Sequence, residues 1–389
     1  VELPDITRCA SVSMAAPDAE VDRALDLILT AARPVVVAGN LAMDATATPL
    51  LVEFVELLGA AYHDDNNAVA FPTSHPANLS GDQELLVGDV TDLVVAIDVA
   101  DPAALLARCV PTTRLVDVSL RHLRYRGWAN AGSAPASVDV HVAAEPREGL
   151  RQLLTALRRR VSDGTADSVR DGRRHATAIR HKEVRQAQAD ALQQAWENVP
   201  IAPQRMAAEV WDAVRERDWL LVLRNTRSWL DGVWEFDGAG QWLGHSSGGG
   251  VGYGPGAMLG GALAARDRGQ LAVAIIGDGD LHMGVGALWT AVHYRIPLLV
   301  VINNNRSFFN DEQHQRLVAT KRGRPVANAW IGMRLTEPEV DFAEVARGYG
   351  AWAEGPIETP EQLAPALRRA LAQVDDGGVA VIDVRTAPE

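Results

Sequence analysis

Two short polar segments of this sequence place oxygen-bearing side chains directly after apolar runs. Residues 277–280 read Gly-Asp-Gly-Asp and follow the apolar run 271–276. Asn304 and Asn305 follow the next apolar run, 298–302, and Asn304 comes 24 residues after the second aspartate. Such runs are typical of buried parallel strands, and open parallel sheets bind ligands at the carboxyl ends of their strands. We therefore expect both polar segments at one ligand-binding edge.

The side chains in these segments suit a magnesium ion and a diphosphate. Asp278 offers a carboxylate oxygen, Asn305 offers an amide oxygen, and the loop that follows offers backbone carbonyls. Mg²⁺ is usually held by a few protein oxygens while phosphate oxygens complete its shell. Gly277 and Gly279 let a diphosphate approach the backbone because they lack a Cβ, and a helix expected to begin near Gly284 adds its positive end. The plainer alternative is a turn aspartate and a helix-capping asparagine.

Composition and charge exclude several classes of protein. The 389 residues are 47% hydrophobic and 22% charged, which excludes a disordered chain. A net charge of −13 argues against nucleic acid or an anionic membrane as the main partner. No apolar run approaches a bilayer span, no secretory leader opens the sequence, and Cys9 and Cys109 are too few for a disulfide framework. We therefore expect a cytoplasmic enzyme.

Apolar strand patterns alternate with helical patterns along the whole chain. In the first half, buried strands are predicted at 34–39, 93–98, 114–118 and 138–142. In the second half, they are predicted at 219–223, 271–276, 298–302 and 379–384. Continuously apolar strands separated by helices form parallel sheets covered on both faces. The sequence thus predicts an α/β protein with two doubly wound parallel-sheet domains, at 1–160 and 199–389. A helical linker is predicted at 161–198, and the arginine-rich stretch 158–185 is expected to be a solvated face.

The segment 277–305 resembles the cofactor signature of the thiamine-diphosphate (ThDP) enzymes, in which GDG is followed by a spacer in the mid-twenties and then NN. It reads GDGDLHMGVGALWTAVHYRIPLLVVINNN. The resemblance implies ThDP and Mg²⁺ as cofactors, with Asp278, Asn305 and the Ser307 carbonyl as metal ligands. Further cofactor contacts are implied for Gly277, Gly279, Asp280 and Leu281.

A glycine-rich segment at 246–254, SSGGGVGYG, resembles the stretch with which the acetolactate synthase, benzoylformate decarboxylase and pyruvate decarboxylase group holds the aminopyrimidine ring. The resemblance implies that the Gly249 carbonyl meets the 4′-amino group and that Gly250 is a neighbouring contact. It also makes Val251 the apolar support that bends the cofactor. A flexible linker is the alternative for the segment, and ordinary core packing is the alternative for Val251.

Other candidate residues lie in loops near these segments. The loop after the first strand of the second domain resembles one that contacts the diphosphate, which makes Asn225 and Thr226 candidates. His282, and His314 in the loop after the asparagines, are candidates for proton transfer because histidine titrates near neutrality. Ordinary surface or core hydrogen bonding is the alternative for both. Further candidates for lining the pocket are Trp242, His245, Phe308 and Phe309.

The first half of the chain resembles the Rossmann-like middle domain of the family, at 33–40 (RPVVVAGN), 71–72 (FP) and 93–102 (LVVAIDVADP). It has no GxGxxG fingerprint, so we expect no nucleotide there. The family order is pyrimidine-binding, middle and diphosphate-binding domain, and only the last two are matched. The family's catalytic glutamate lies on the unmatched domain, which we expect as a separate segment or subunit. Because the sequence begins at Val1 without methionine, we favour a longer chain.

The resemblance implies cleavage or formation of a C–C bond in a 2-oxo acid or 2-hydroxy ketone, by a decarboxylase, lyase or acyloin-type transferase. It also implies a homodimer or homotetramer in which the pyrimidine-binding domain completes each site. Two alternatives remain open. One is a non-catalytic ThDP-binding regulatory subunit, which a pyrimidine-binding domain upstream in the same gene would exclude. The other is a nicotinamide- or flavin-dependent oxidoreductase using the middle domain, and a flavin absorbance spectrum tests the flavin version.

Overall fold

The structure is a computed structural model of the chain, and the residues it describes fall into two compact units. Unit 1 lies within Val1–Val184 and includes Asp237–Ala239, and unit 2 lies within Arg185–Phe236 and Gly240–Glu389. The described residues are 13–64, 69–87, 90–121, 136–161, 167–224, 232–244 and 250–388. None of the helices in these ranges is long and apolar enough to cross a bilayer. Each unit contains a five-stranded sheet.

The sheet of unit 1 is parallel throughout. Its strands are β1 (Pro34–Ala38), β2 (Ala61–Asp64), β3 (Leu93–Ile97), β4 (Arg114–Val118) and β5 (Val140–Val142). Its helices are α1 (Asp18–Thr30), α2 (Thr48–Leu58), α3 (Pro102–Leu106), α4 (Pro146–Val161) and the first part of α5 (Asp167–Ala195), with 3₁₀ turns at Asn40–Met43 and Ala45–Ala47. The spatial order is β2-β1-β3-β4-β5, so the direction of winding reverses between β1 and β3. The predicted doubly wound parallel sheet is confirmed.

Helix α4 shows how the sequence builds this unit. Leu150, Leu153, Leu154 and Leu157 recur at the spacing of one helix face, and all four are buried in the core of unit 1. Its last turn carries arginines, which favour the negative end of the helix dipole. An amphipathic helix of this kind covers the apolar strands, which explains why the strands read as continuous hydrophobic runs.

Helix α5 differs from the predicted solvated face. Arg180 makes a bidentate ion pair with the buried Asp82, with Nε–Oδ2 and Nη2–Oδ1 distances of 2.6 and 2.8 Å. Arg174 donates to the carbonyl of Glu56 at 2.9 Å, and Arg170 is buried. The expectation of a solvated face is wrong for Arg170, which is buried, whereas the side chains of Arg174 and Arg180 are 46% and 41% exposed while their guanidinium groups pair with acceptors.

The sheet of unit 2 is also parallel. Its strands are β6 (Trp219–Arg224), β7 (Leu271–Gly277), β8 (Leu298–Asn304), β9 (Trp352–Ile357) and β10 (Val379–Arg385), in the order β6-β7-β8-β10-β9. Its helices, besides the end of α5, are α6 (Pro203–Val214), α7 (Tyr253–Arg268), α8 (Asp278–Met283), α9 (Ala287–His293), α10 (Phe309–Lys321), α11 (Phe342–Gly348) and α12 (Pro360–Asp375). Every residue of β8 is buried, including its two terminal asparagines.

Four elements were not predicted from the sequence: β2, β9, α8 and α10. Strand β2 reads Ala-Tyr-His-Asp and β9 contains Gly355-Pro356, so neither is a continuous apolar run. Helix α10 is polar and has a single buried residue, Glu312, so it lacks the periodicity of an amphipathic helix.

Candidate functional site

The carboxyl ends of β7 and β8 lie side by side in unit 2. The two strands pair in parallel, with Ile276 opposite Ile302 and Gly277 opposite Asn303. Asp278 directly follows β7, and Asn305 directly follows β8. The sheet register therefore brings together the two polar segments that are far apart in sequence, as the strand pattern predicts.

The oxygens of Asp278 and Asn305 converge on one backbone N–H group. Ser307 donates its N–H to Oδ2 of Asp278 at 3.2 Å and to Oδ1 of Asn305 at 3.0 Å. Oδ1 of Asp278 accepts from the Gly279 N–H at 2.8 Å. The three residues predicted as metal ligands thus occupy one small cluster, and the two side chains in it present oxygens of the type that Mg²⁺ prefers.

Asp278 is buried, with 2% of its surface exposed, and no basic side chain pairs with it among the described residues. Burial raises its pKa to about 7, although backbone N–H groups of Gly279, Arg306 and Ser307 favour the ionised form and limit the shift. A buried carboxylate without a counter-charge is unfavourable in the free protein. A cation bound here would remove that cost.

The turn after β8 contains a residue with a left-handed backbone conformation, and the Ser307 N–H of this turn donates to Asp278. Arg306 has φ 60, a left-handed conformation that is uncommon for a residue with a side chain. Its N–H donates to Oδ1 of Asn304 at 3.3 Å, and its carbonyl accepts from the Leu335 N–H at 2.8 Å. These bonds hold the turn that carries Asn305 and Ser307.

Two pairs of buried polar side chains, which were not predicted, join the end of β8 to β10 and to the residue that follows it. Asn304 donates its Nδ2 to Oδ1 of the fully buried Asp383 at 2.7 Å. Thr386 donates its hydroxyl to Oδ1 of Asn303. Burial raises the pKa of Asp383 to about 6, and the bond from Asn304 limits that rise. The signal that was available is a lone acid inside the apolar strand VAVIDVR, since such an acid requires a partner.

Glu312 is a second acid that sequence reasoning missed. It is 3% exposed, accepts from the Ser307 hydroxyl at 3.3 Å, and pairs with Arg316 at 2.6 Å. Its contact with Ser307 ties the first turns of α10 to the loop that follows β8. The i, i+4 spacing of Glu312 and Arg316 was the visible signal of this pair.

Gly279 and Phe308 are packed against each other. A Cβ at position 279 would lie 2.5 Å from Cδ1 of the Phe308 ring. The ring therefore lies directly against the backbone of the Gly-Asp-Gly turn, and only glycine leaves it this space. Phe309 is the first residue of α10 and is half-buried.

Asp280 faces the start of α7. Its Oδ1 accepts from the Gly252 N–H, and a Cβ on Gly254 would collide with its Oδ2. A carboxylate at the positive end of a helix is favourable. The negative charge of Asp280, which would repel a nearby diphosphate, is thereby held at the start of α7. Gly250 and Val251 precede the same helix, and Val251 is 46% exposed.

Several candidates lie in other surroundings. The Leu281 side chain is fully buried in the core of unit 2, so any ligand contact would use its backbone. His282 is exposed and lies edge-on to Phe342, with ring centroids 6.4 Å apart. His314 is exposed on α10, so its predicted place in a loop is wrong, because the chain turns helical at Phe309. Trp242 is 5% exposed, and the guanidinium carbon of Arg224 lies 5.1 Å from its ring centroid.

Two further expectations can be compared with the described residues. The helix expected to begin near Gly284 corresponds to α9, which begins at Ala287, and the short helix α8 that begins at Asp278 was not predicted. Asn225, Thr226, His245 and Gly249 lie outside the described residues.

Comparisons with known proteins show what the chain is similar to. Residues 225–384 match the family described as "Thiamine pyrophosphate enzyme, C-terminal TPP binding domain". A benzoylformate decarboxylase from Pseudomonas aeruginosa is 29% identical over 356 residues, which cover 87% of this chain and 59% of that protein. The large subunit of acetolactate synthase isozyme 3 from Escherichia coli is 24% identical over 376 residues, which cover 94% of this chain and 61% of that protein. Residues 225–384 are thus similar to the TPP-binding domain of thiamine pyrophosphate enzymes, and most of the chain is similar to ThDP-dependent enzymes.

A solved structure shares the fold of this chain. The ThDP-dependent 4-hydroxybenzoylformate decarboxylase of Rhodococcus jostii RHA1 superposes with a TM-score of 0.70 at 20% identity, covering 99% of this chain and 67% of that one. The chain spans about three fifths of the length of the two curated relatives above, 59% and 61%.

The residues present fit the metal and the cofactor of the family. The described residues contain no cluster of three or more His, Cys, Asp or Glu that could hold a metal. The set at the edge of β7 and β8 instead combines one carboxylate, one amide and one backbone carbonyl, which suits a magnesium ion shared with a diphosphate. The Phe308 ring fills the space that a Cβ on Gly279 would take, so the fit rests on the oxygens of Asp278, Asn305 and Ser307.

Proposed function

We propose that unit 2 holds ThDP through Mg²⁺, with Asp278, Asn305 and the Ser307 carbonyl as the protein ligands. The convergence of the Asp278 and Asn305 oxygens on the Ser307 N–H, 3.2 and 3.0 Å away, carries this proposal. Asp278 accepts only backbone N–H groups among the described residues, so its carboxylate retains lone pairs for a cation.

The reaction proposed is cleavage or formation of a C–C bond in a 2-oxo acid or 2-hydroxy ketone, by a decarboxylase, lyase or acyloin-type transferase. When bound, ThDP supplies the carbon nucleophile and the electron sink for this chemistry. The names of the curated relatives, a benzoylformate decarboxylase and an acetolactate synthase, support a 2-oxo acid as substrate.

The chain's own residues would bind the cation, orient the cofactor and shield it from water. The Asp278 carboxylate offsets the charge of the cation that neutralises the diphosphate, and Phe308 excludes water from the Gly279 backbone. Val251, exposed before α7, would support the cofactor from its apolar side. His282 and His314 are exposed imidazoles for proton transfer to the substrate.

We further propose the family's domain roles for the two units. Unit 1 would be the middle domain, and unit 2 the diphosphate-binding domain, with α5 as the covalent connection. A pyrimidine-binding domain from elsewhere would bring the catalytic glutamate, and the assembly would be a homodimer or homotetramer.

Calorimetry on the full-length gene product tests the cofactor assignment. ThDP is titrated in excess Mg²⁺ and again in EDTA, with wild type, Asp278→Asn and the control Asp267→Asn, which alters an exposed aspartate of the same unit. Residues that only orient metal ligands contribute about 10- to 100-fold in affinity, so loss of a direct ligand should exceed about 100-fold. Binding should occur only with Mg²⁺ and should survive in the control.

Absence of wild-type binding, or equal binding by Asp278→Asn, would contradict the assignment. If ThDP binds, release of aldehyde from a panel of 2-oxo acids tests the proposed reaction. A holoenzyme that releases no aldehyde and forms no acyloin from any 2-oxo acid or 2-hydroxy ketone would exclude that reaction class.

A further inference from the structure

Asp383 is a buried acid, and one of its two carboxylate oxygens has no hydrogen-bond partner within the described residues. It lies on β10, opposite Ile302 of β8, and is 0% exposed. Its Oδ1 accepts from Asn304, but its Oδ2 has no hydrogen-bond partner within the described residues. Gly355 seals it from the other side, since a Cβ there would lie 2.7 Å from the Asp383 Cβ. A buried carboxyl with an unsatisfied oxygen lowers the stability of the fold, so we look for a role of Asp383 other than stability.

The partner of Asp383 uses both ends of its amide. Asn304 donates Nδ2 to Asp383 at 2.7 Å and accepts the Arg306 N–H on Oδ1 at 3.3 Å. If the amide rotated by half a turn, its NH₂ group would meet the Arg306 N–H, and its oxygen would meet the carboxylate. Both encounters are repulsive, so the acceptor at Asp383 permits one orientation of the amide.

The orientation of the Asn304 amide matters because Arg306 is in the left-handed region, with φ 60. A non-glycine residue keeps this conformation only when the surroundings hold it there. The flanking residues Asn305 and Ser307 are the proposed ligands. A change in the turn would therefore separate the oxygens that converge near Asp278.

We propose that Asp383 is a positioning residue of the cation site, which acts through the Asn304 amide to hold the 305–307 turn. This inference rests on the proposed function of that turn. Asp383 contacts neither the cation nor the substrate. Its side chain selects the one amide orientation in which the turn presents its oxygens.

The neighbouring pair of Thr386 and Asn303 provides a matched control. It links β8, one residue earlier, to the residue that directly follows β10, and both of its side chains are buried. The Arg306 N–H donates to the Asn304 side chain and not to that of Asn303. Removing the Thr386 hydroxyl should therefore disturb the strand pairing without changing the turn.

Hydrogen exchange in the cofactor-free protein tests the positioning directly. In Asp383→Ala, the peptide covering 305–308 should exchange about 10-fold faster, the scale set by one hydrogen bond to a charged group. Asp383→Asn retains an acceptor for Asn304 and should restore wild-type exchange. Thr386→Val should exchange like the wild type in this peptide.

Cofactor affinity provides the second readout. Asp383→Ala should bind ThDP with Mg²⁺ about 10- to 100-fold more weakly than wild type, while Asp383→Asn should remain within about 3-fold. Asn304→Ala covers the case in which Asp383→Ala fails to fold. If Asp383 acts through Asn304, the double variant Asn304→Ala/Asp383→Asn should bind as weakly as Asn304→Ala alone.

The two claims fail in different ways. Unchanged exchange at 305–308 in both Asp383→Ala and Asn304→Ala would overturn the positioning role. An effect of Thr386→Val equal to that of Asp383→Ala would also overturn it, because the role would then be general strand packing. Faster exchange in a protein whose wild type binds no ThDP would support the positioning and overturn the cofactor assignment.

Discussion

Both sheets carry buried aspartates at the carboxyl ends of central strands, and the groups around those aspartates differ. In unit 1, Asp98 follows β3 and accepts from Arg121 at 2.5 Å. Asp117, at the end of β4, accepts from Ser119 at 2.9 Å, and the His141 ring lies 3.7 Å away. In unit 2, Asp278 receives only backbone N–H groups among the described residues.

The same parallel-sheet architecture therefore produces two different edges. At the edge of unit 1, side chains pair with the acids, whereas at the edge of unit 2 the Asp278 carboxylate is available to a cation. In unit 1, side chains donate to the acids: Arg121 donates to Asp98, and Ser119 donates to Asp117. The backbone of unit 2 orients Asp278 without neutralising it, and its pKa of about 7 reflects burial without a counter-charge. Strand topology places the residues, but the partner of each acid decides whether the edge can hold a cation.

The most direct comparison is between Asp278→Asn and Asp117→Asn, two substitutions of buried acids at the two edges. ThDP with Mg²⁺ at 100 times its dissociation constant should stabilise wild type by about 2.7 kcal/mol. Asp278→Asn should lose nearly all of this gain because it removes a ligand, and Asp117→Asn should keep it despite a lower starting stability. Thermal unfolding with and without ligand measures both. Equal losses in the two variants would show that the edges are not functionally different.

A pH dependence should appear in unit 1 through His63. Burial, aided by Arg108, lowers the pKa of His63 from 6.5 to about 4. The unfolded chain therefore binds this proton more tightly, and stability present above pH 6.5 should be lost as the pH falls toward 4. The full loss is about 3 kcal/mol. Hydrogen exchange of β1 and β3 peptides between pH 6.5 and 4 measures this loss of stability. His63→Asn should reduce the dependence of stability on pH. An unchanged pH dependence in the variant would show that another group causes it.

Gly279→Ala tests the packing at the edge of unit 2. The added Cβ would meet the Phe308 ring at 2.5 Å and should cost about 1 to 3 kcal/mol of stability, with weaker cofactor binding. Gly256→Ala is the matched control, since no atom lies within 4 Å of its added Cβ and alanine favours a helix. Urea unfolding compares them. Similar stabilities for the two variants would contradict the close packing of Phe308.

The smallest effect is expected for Arg121→Gln at the edge of unit 1. Arg121 is half-exposed, so removing its bond to Asp98 should cost about 1 kcal/mol or less. ThDP affinity should be unchanged. A clear loss of affinity would mean that the edge of unit 1 contributes to the binding site.

The sequence was sufficient to bring the proposed ligands Asp278 and Asn305 together but did not predict the residues that hold them. Asp278 and Asn305 were predictable because each directly follows an apolar strand, and parallel pairing brings such ends together. Asp383 lies 79 residues from Asn304, and the contact depends on the β8–β10 register, which no local pattern specifies. Glu312 was missed because it belongs to a polar helix without a buried face.

The same limits apply to the fold. Strands with continuous apolar runs, such as β7 and β8, were placed correctly. Strand β9 was missed because Gly355-Pro356 interrupts its pattern, and β2 because it carries His63 and Asp64. These strands are fixed by neighbours in the sheet, which override weak local propensity.

Anomalous diffraction from crystals grown with ThDP and Mn²⁺ in place of Mg²⁺ tests the central claim most directly. One strong manganese peak is expected in unit 2, within about 2.5 Å of oxygens from Asp278, Asn305 and the Ser307 carbonyl. A peak at any other residues, or clear ThDP density without a metal at these three, would contradict it.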